Sequence, residues 1–307
     1  MDNFSHFLYY RVKTLVPKKM MLYARRKYVD LKRTHYAGTW PIDPDAAHPP
    51  GGWCGWPGEK QFALVLTHDV EINKGQDKCY PLVELEASLG FRSSFNFVAE
   101  GYPLRKSLFR YLIEQGFEVG VHGLNHKGNP FRSEKIFMDQ VPRINHYLKE
   151  WGSVGYRTPS MYHNQKMLHN LEIEYDSSTF DTDPFEPQPD GVKTIFPFWV
   201  KNDSGDKGYV ELPYTLPQDF TLFALMKKND INIWKTKLDW IAERGGMALL
   251  ITHPDYMNFD NKQLKTDEYP AAYYEEFLKY IKSKYTDRYW HVLPKEIARF
   301  WASNFVK

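Results

Sequence analysis

A chain of 307 residues, 42% apolar and 25% charged, can bury a large core. Its formal net charge of +2 offers no strongly basic face for holding nucleic-acid phosphates, so no nucleic-acid partner is expected. Two cysteines, Cys54 and Cys79, form neither a disulfide framework nor a C-x-x-C zinc pattern, and no stretch reaches the roughly 18 apolar residues of a membrane span.

Residues 1–36 are basic and aromatic. Phe4, Phe7, Leu8, Val12, Leu15 and Val16 recur near helical spacing, among Arg11, Lys13, Lys18, Lys19, Arg25, Arg26 and Lys27. Two readings stand: an amphipathic helix in peripheral contact with an anionic inner-membrane surface, or a helix packed on the main domain. The first apolar run is broken by Arg11 and Lys13, and no small-residue cleavage site follows. A secretory signal is therefore not expected, and a cytoplasmic location is the default. Residues 40–60 are too rich in Pro and Gly for a regular element and read as an ordered connector. The expected division is an extension over 1–60 and a main domain over 61–307.

From residue 62 onward, short apolar runs alternate with helix-like stretches. FALVLTHDV (62–70), SSFNFVA (93–99) and FEVGVHG (117–123) have the branched, continuous apolar character of buried parallel strands. Helix-like segments are expected around 109–115 and over 134–151, strands near 153–157 and 173–178, a late strand over ALLITH (248–253), and helices over 271–284 and 294–305. This alternation predicts a parallel α/β barrel or a doubly wound sheet. The aromatic content, 16%, suits core filling, and also the stacking of sugar rings.

In either architecture the C-terminal strand ends share one face, where active sites gather. The first run ends in Thr67-His68-Asp69-Val70-Glu71, whose two carboxylates, two residues apart, point the same way on extended backbone. Such a pair can divide the work of base and metal ligand, or can be a polar turn. The third run ends in His122-Gly123-Leu124-Asn125-His126. Two His four apart meet on one face if the segment is a helical turn, the ligand logic of H-x-x-x-H zinc pairs. With a neighbouring carboxylate they form a two-His, one-carboxylate site. Arg157, in Gly155-Tyr156-Arg157-Thr158-Pro159-Ser160, can orient a carboxylate by paired hydrogen bonds, and His253, ending the late strand, can act as a general acid.

Taken in order, these pieces resemble the NodB-homology polysaccharide deacetylases, carbohydrate esterase family 4, over about residues 62–300. The family's motifs read T-F-D-D, H-[ST]-x-x-H, R-x-P-[YF], D-x-x-x-W and L-x-H. This chain offers Thr67-His68-Asp69, His122 to His126, Arg157-Thr158-Pro159-Ser160, a weak fourth, and Ile251-Thr252-His253. The resemblance implies a distorted (β/α)7-type parallel barrel behind an N-terminal helical and Pro/Gly-rich extension. It implies Asp69 as catalytic base, His122 and His126 as ligands of a divalent metal (zinc first among the candidates), Arg157 as the tether of the base, His253 as general acid, and the Ser160 backbone N–H at the oxyanion.

Three departures stand out. The position after the base is Val70, so the third ligand is expected two residues on, at Glu71, as in a similar D-V-E branch associated with bacterial surface-polysaccharide synthesis. Ser160 replaces an aromatic, so a groove wall is missing or supplied elsewhere. The fourth motif is unclear: Asp176 is the expected carboxylate tuning His253, with Asp181 and Asp183 as rivals. Tyr214 and Asp219, in the segment from Glu211 to Asp219, are expected either to contact substrate hydroxyls or to be turn residues. The implied function is removal of an N-acetyl or O-acetyl group from an acetylated amino-sugar glycan or from a nucleotide- or lipid-linked sugar. The alternatives are hydrolysis of another non-peptide C–N bond, and a non-catalytic glycan-binding relative.

Overall fold

The computed structural model describes residues 18–203, 205, 207–260 and 263–305. The expected helix-forming residues Phe4 to Val16 lie outside that set. The strands, in chain order, are Phe62–Val70 (β1), Ser94–Phe97 (β2), Glu118–Val121 (β3), Gly155–Tyr156 (β4), Tyr175–Asp176 (β5), Phe198–Lys201 (β6), Gly208–Glu211 (β7), Met247–Thr252 (β8), Met257–Asn258 (β9), Tyr269–Pro270 (β10) and Tyr289–His291 (β11). The α-helices are Lys18–His35 (α1), Asn73–Leu89 (α2), Lys106–Glu114 (α3), Glu134–Met138 (α4), Val141–Trp151 (α5), Gln165–Leu168 (α6), Asn232–Arg244 (α7), Ala271–Lys284 (α8) and Pro294–Phe305 (α9).

All nine residues of β1 are buried, as a parallel strand covered on both faces requires. Parallel pairing runs β1, β2, β3, β4, β5, β7, while β8 lies parallel along the other edge of β1. Beyond Glu211 the chain continues beside the segment after β5, with a parallel bridge between Phe180 and Tyr214, and then reaches β8 through a parallel bridge between Leu216 and Leu250. Thr215 and Leu216 both donate their N–H to the Leu249 carbonyl at 3.1 Å. Seven parallel strands thus close a distorted barrel among the described residues, as the resemblance implies. β6 adds antiparallel to β7, and β11 lies beside the start of β1. The outer helices turn apolar residues inward at i, i+3, i+4 spacing, for example Trp234, Leu238 and Ile241 of α7.

The barrel rests on the connector as well. Trp53 stacks on Trp301 of α9 at 5.5 Å, and the Trp56 indole donates to the Gly245 carbonyl at 2.8 Å, below the start of β8. No helix among the described residues is long and apolar enough to cross a membrane.

The expected helix over 134–151 is two helices. Pro142 occupies the first turn of α5, where its missing N–H costs nothing, but a helix running through it would lose a bond and clash. Helices α2 and α7 and the β6–β7 pair were not expected. Pro81 lies inside α2 and obscures its pattern, and tertiary packing overrides that local signal.

Between Thr67 and Asp69 sits a residue of a different kind. Strand alternation turns His68 away from its neighbours' side, toward α2. Its Nε2 lies 2.8 Å from Glu86 Oε1 and its Nδ1 2.7 Å from the Thr252 hydroxyl, and all three residues are buried. Ser93 and Tyr274 also donate to Glu86. Burial alone would raise the Glu86 pKa, but His68 and these hydroxyls outweigh it and hold it below the ordinary 4.5. The stability from this carboxylate is therefore present above 4.5 and lost as pH falls through the lowered folded value. His68→Ala strands a buried charge and is expected to cost about 3–5 kcal/mol of unfolding free energy, measured by urea denaturation at neutral pH.

Candidate metal centre and active site

Residues from four strand ends converge at the C-terminal face of the barrel. Asp69 is on β1 and Glu71 just beyond it. His122 follows β3, and His126 lies four residues on. Arg157 follows β4 and His253 follows β8. One ligand atom from each of Glu71, His122 and His126 lies within 4.8 Å of the other two. His126 Nε2 is 2.8 Å from Glu71 Oε1. His122 Nδ1 is 3.1 Å from the Arg157 carbonyl, and as the donor there it leaves Nε2 as the ligand atom. Burial depresses the His122 pKa to about 4, so its imidazole is neutral at working pH, the form that binds metal. Two imidazole nitrogens and one carboxylate form a donor set that fits zinc.

The turn between the two histidines is not helical. Gly123 has φ of +63°, and a Cβ there would come within 2.6 Å of Pro159. A left-handed glycine pressed against the proline after Arg157 brings the two rings together, with centroids 5.7 Å apart.

Asp69 is buried and held on several sides. Arg157 donates from one nitrogen to Asp69 Oδ1 at 2.8 Å and to the Thr67 hydroxyl at 2.9 Å. Its other nitrogens bond the Ser177 carbonyl and hydroxyl. Asn96, level with Asp69 on β2, donates to the same Oδ1 at 2.9 Å. Gly120 on β3 leaves space for that amide, since a Cβ there would lie 2.1 Å from Asn96 Oδ1. Oδ2 is 3.9 Å from His122 Nε2. Burial would raise the Asp69 pKa, but Arg157, His122, His253 and Asn96 together lower it to about 2. Asp69 is thus ionised and turned toward the candidate metal site.

His253 is oriented by Asp219. Its backbone N–H donates to Asp219 Oδ2 at 2.8 Å, and its Nδ1 lies 2.7 Å from Oδ1. Tyr269 also donates to Oδ2, at 2.9 Å. His253 Nε2 points to the centre, 3.8 Å from Glu71 Oε1. Burial disfavours its cation, but Asp219, Glu71 and Asp69 outweigh that and push the pKa up to about 10. This is an imidazole that holds a proton to give away.

No protein-family model matches the sequence, and no curated protein matches it. Solved structures do. A Mycobacterium smegmatis protein described as a polysaccharide deacetylase is 19% identical with a TM-score of 0.64, the match covering 84% of this chain and 96% of that one. A Pseudomonas aeruginosa protein described in the same way is 17% identical with a TM-score of 0.63, covering 85% and 96%. The PuuE allantoinase is 16% identical with a TM-score of 0.60, covering 87% and 99%. The chain has the polysaccharide-deacetylase fold.

Placed on that fold, several expectations need correcting. Asp176 does not touch His253. Its carboxylate accepts from the Ser178 N–H and hydroxyl, and it lies level with Glu211 across the β5–β7 pair. Burial, opposed by these bonds, raises the Asp176 pKa to about 6, and burial beside Asp176 raises Glu211 further. Two buried carboxylates side by side cannot both ionise cheaply, so this pair retains a proton. Of the rivals, Asp181 is paired with Lys237, and Asp183 accepts from the Phe185 N–H and lies 2.9 Å from the Tyr214 hydroxyl. Tyr214 is buried, its hydroxyl also 3.0 Å from Glu186, so it is a structural residue and not a contact for substrate hydroxyls. Asp219 is likewise buried, its oxygens occupied by His253, Tyr269 and the Phe220 N–H.

Other residues escaped sequence reasoning. Asp255 accepts the Glu71 N–H at 2.8 Å, and Tyr256 donates to Glu71 Oε2 at 2.9 Å, so the turn after His253 fixes the Glu71 carboxylate. Asn96 had a visible signal: one amide inside an apolar strand. Aromatic rings also lie beside His253, away from position 160. The Tyr256 ring lies 5.3 Å from that of His253 and 4.9 Å from Phe220. Ser160 itself has φ of +58°, a left-handed turn directly after Pro159.

Proposed function

We propose that this protein is a hydrolase that uses a divalent ion, zinc by preference, to remove an acetyl group from the nitrogen, or from an oxygen, of a sugar. The observation that carries this reading is the three-part centre: an ionised Asp69 beside the Glu71, His122 and His126 trio, with a carboxylate-held His253 on the other side.

A carboxylate as acidic as Asp69 accepts a proton only from a strongly acidified water, and an ion held by Glu71, His122 and His126 would supply that acidity and polarise the acyl carbonyl. Arg157 and Asn96 fix Asp69 for the transfer. As hydroxide adds to the acyl carbon, the Ser160 N–H takes up part of the oxyanion charge, a contribution of about 3–4 kcal/mol for a well-placed donor. His253 passes its Nε2 proton to the departing nitrogen, while Asp219 holds the ring and stabilises it before the transfer. The products are acetate and a free amine. The Tyr256 and Phe220 rings give the sugar an apolar face to lie against. The substrate is an acetylated amino sugar in a glycan or in a nucleotide- or lipid-linked precursor, in keeping with the resemblance to proteins of bacterial surface-polysaccharide synthesis.

The likeness to an allantoinase over nearly all of that chain favours a second reading, hydrolysis of a cyclic amide. Acetate release from acetylated amino sugars, set against ring-opened product from cyclic amides, separates the two. The centre itself is tested by metal content. Near-stoichiometric zinc or another divalent ion is expected in the purified protein, with about tenfold or greater loss of affinity in His122→Ala, read by elemental analysis after dialysis. A protein that neither carries a divalent ion nor takes one up would be a glycan-binding relative and not a hydrolase.

A further inference from the structure

Helix α1 carries two unlike faces. Leu22 and Val29, seven residues apart, are buried against the core. On the same side Arg26 donates to the Ala224 carbonyl at 3.0 Å and the Thr266 carbonyl at 2.7 Å, and Lys32 to the Pro184 carbonyl at 3.2 Å. The Arg25 guanidinium lies 4.9 Å above Phe220, whose ring neighbours Tyr256 and so the Glu71 ligand. The helix is therefore seated on loops at the mouth of the candidate site.

The opposite face is unlike that of an ordinary solvated helix. Met20, Tyr23 and Leu31 are 63%, 62% and 80% exposed. With Lys27 they follow i, i+3, i+7, i+11, which is one stripe. Single exposed apolar residues are common, but an aligned apolar stripe is a contact surface. Of the α1 cations that make no inward contact, Lys19, Lys27 and Arg33 are exposed, against the single acid of the helix, Asp30. Leu264, also exposed, stands two residues before Thr266, the residue that Arg26 and Lys227 bond.

We infer that this outward face docks on an anionic lipid surface, with the apolar stripe entering the headgroup region and the cations meeting lipid phosphates. Charge decides the occupant. A second copy would set the exposed Lys19, Lys27 and Arg33 against their own counterparts, whereas an anionic bilayer satisfies both the stripe and these charges. Docked in this way, the mouth of the barrel lies beside the headgroups, within reach of a membrane-bound substrate. The face would dock whichever bond the site cleaves.

The test is co-sedimentation of the full chain with vesicles of phosphatidylcholine alone and of phosphatidylcholine mixed with phosphatidylglycerol. Binding is expected to the mixed vesicles only and to weaken as salt is added. The variants Met20→Ser/Tyr23→Ser/Leu31→Ser and Lys19→Glu/Lys27→Glu are each expected to bind about tenfold or more weakly. Their circular dichroism melts should match the parent, because the altered side chains are exposed. Three outcomes overturn the assignment: no binding to either vesicle, binding unchanged in both variants, or wild-type self-association that the triple variant abolishes. The last would give the face to a second copy.

Discussion

Asp69→Asn is expected to lower acetate release by roughly 10²–10⁴-fold while leaving a folded, metal-binding protein. Asparagine keeps an oxygen for Arg157 and Asn96 but cannot accept the proton of an attacking water. Asp69 is outside the Glu71, His122 and His126 trio, so metal content should not change. Folding should survive because Arg157 keeps Thr67 and Ser177 as partners, although the loss of its counter-charge lowers the melting temperature. The measurement is steady-state acetate release on an acetylated amino sugar, with a melt and a metal assay on the same sample. Turnover within a few-fold of the parent would remove Asp69 from the role of base.

Asp219→Asn is the second large effect, and Asp176→Asn is its control. Every group bonded to the Asp219 carboxylate is a donor: the His253 N–H and ring, the Tyr269 hydroxyl and the Phe220 N–H. An amide turns an NH₂ toward two of them and removes the charge that helps hold the His253 proton. Turnover is expected to fall by roughly 10²-fold or more. The sign of the pH effect follows. Asp219 raises the His253 pKa, so its neutralisation lowers that pKa, and the protonated acid is lost at a lower pH. The alkaline limb of the rate profile should move to lower pH. Asp176→Asn should leave turnover within a few-fold, since Asp176 faces Ser178 and Glu211 and makes no contact with His253. The reverse ranking of the two variants would restore Asp176 as the partner of His253.

The reason sequence favoured the wrong aspartate is physical. Asp176 sits at the end of a recognisable strand segment, where the barrel rule places chemistry. Asp219 lies in a stretch of prolines and turns that no periodicity distinguishes, and it reaches His253 only because the chain from Glu211 to Leu216 closes the barrel against β8. That closure is a contact across 34 residues. The Asp255 and Tyr256 contacts to Glu71 span 184 and 185 residues and were equally hidden.

Much was readable without coordinates. The strand–helix alternation after residue 62, the apolar runs that become buried parallel strands, and the ordered polar residues at their C-terminal ends are local properties of the chain, set by side-chain type and by a period of two or 3.6 residues. They were enough for a parallel α/β architecture with Asp69, Glu71, His122, His126, Arg157 and His253 at one end of the strands; the choice of a barrel came from the family resemblance. The tertiary structure alone decided that Asp219 holds His253, that Tyr214 is structural, that His122 and His126 meet through a left-handed glycine turn, and that α1 packs by one face and exposes another. Each of these depends on which distant segments close against each other, and hydrogen bonds and burial between such segments leave no periodic trace in the sequence.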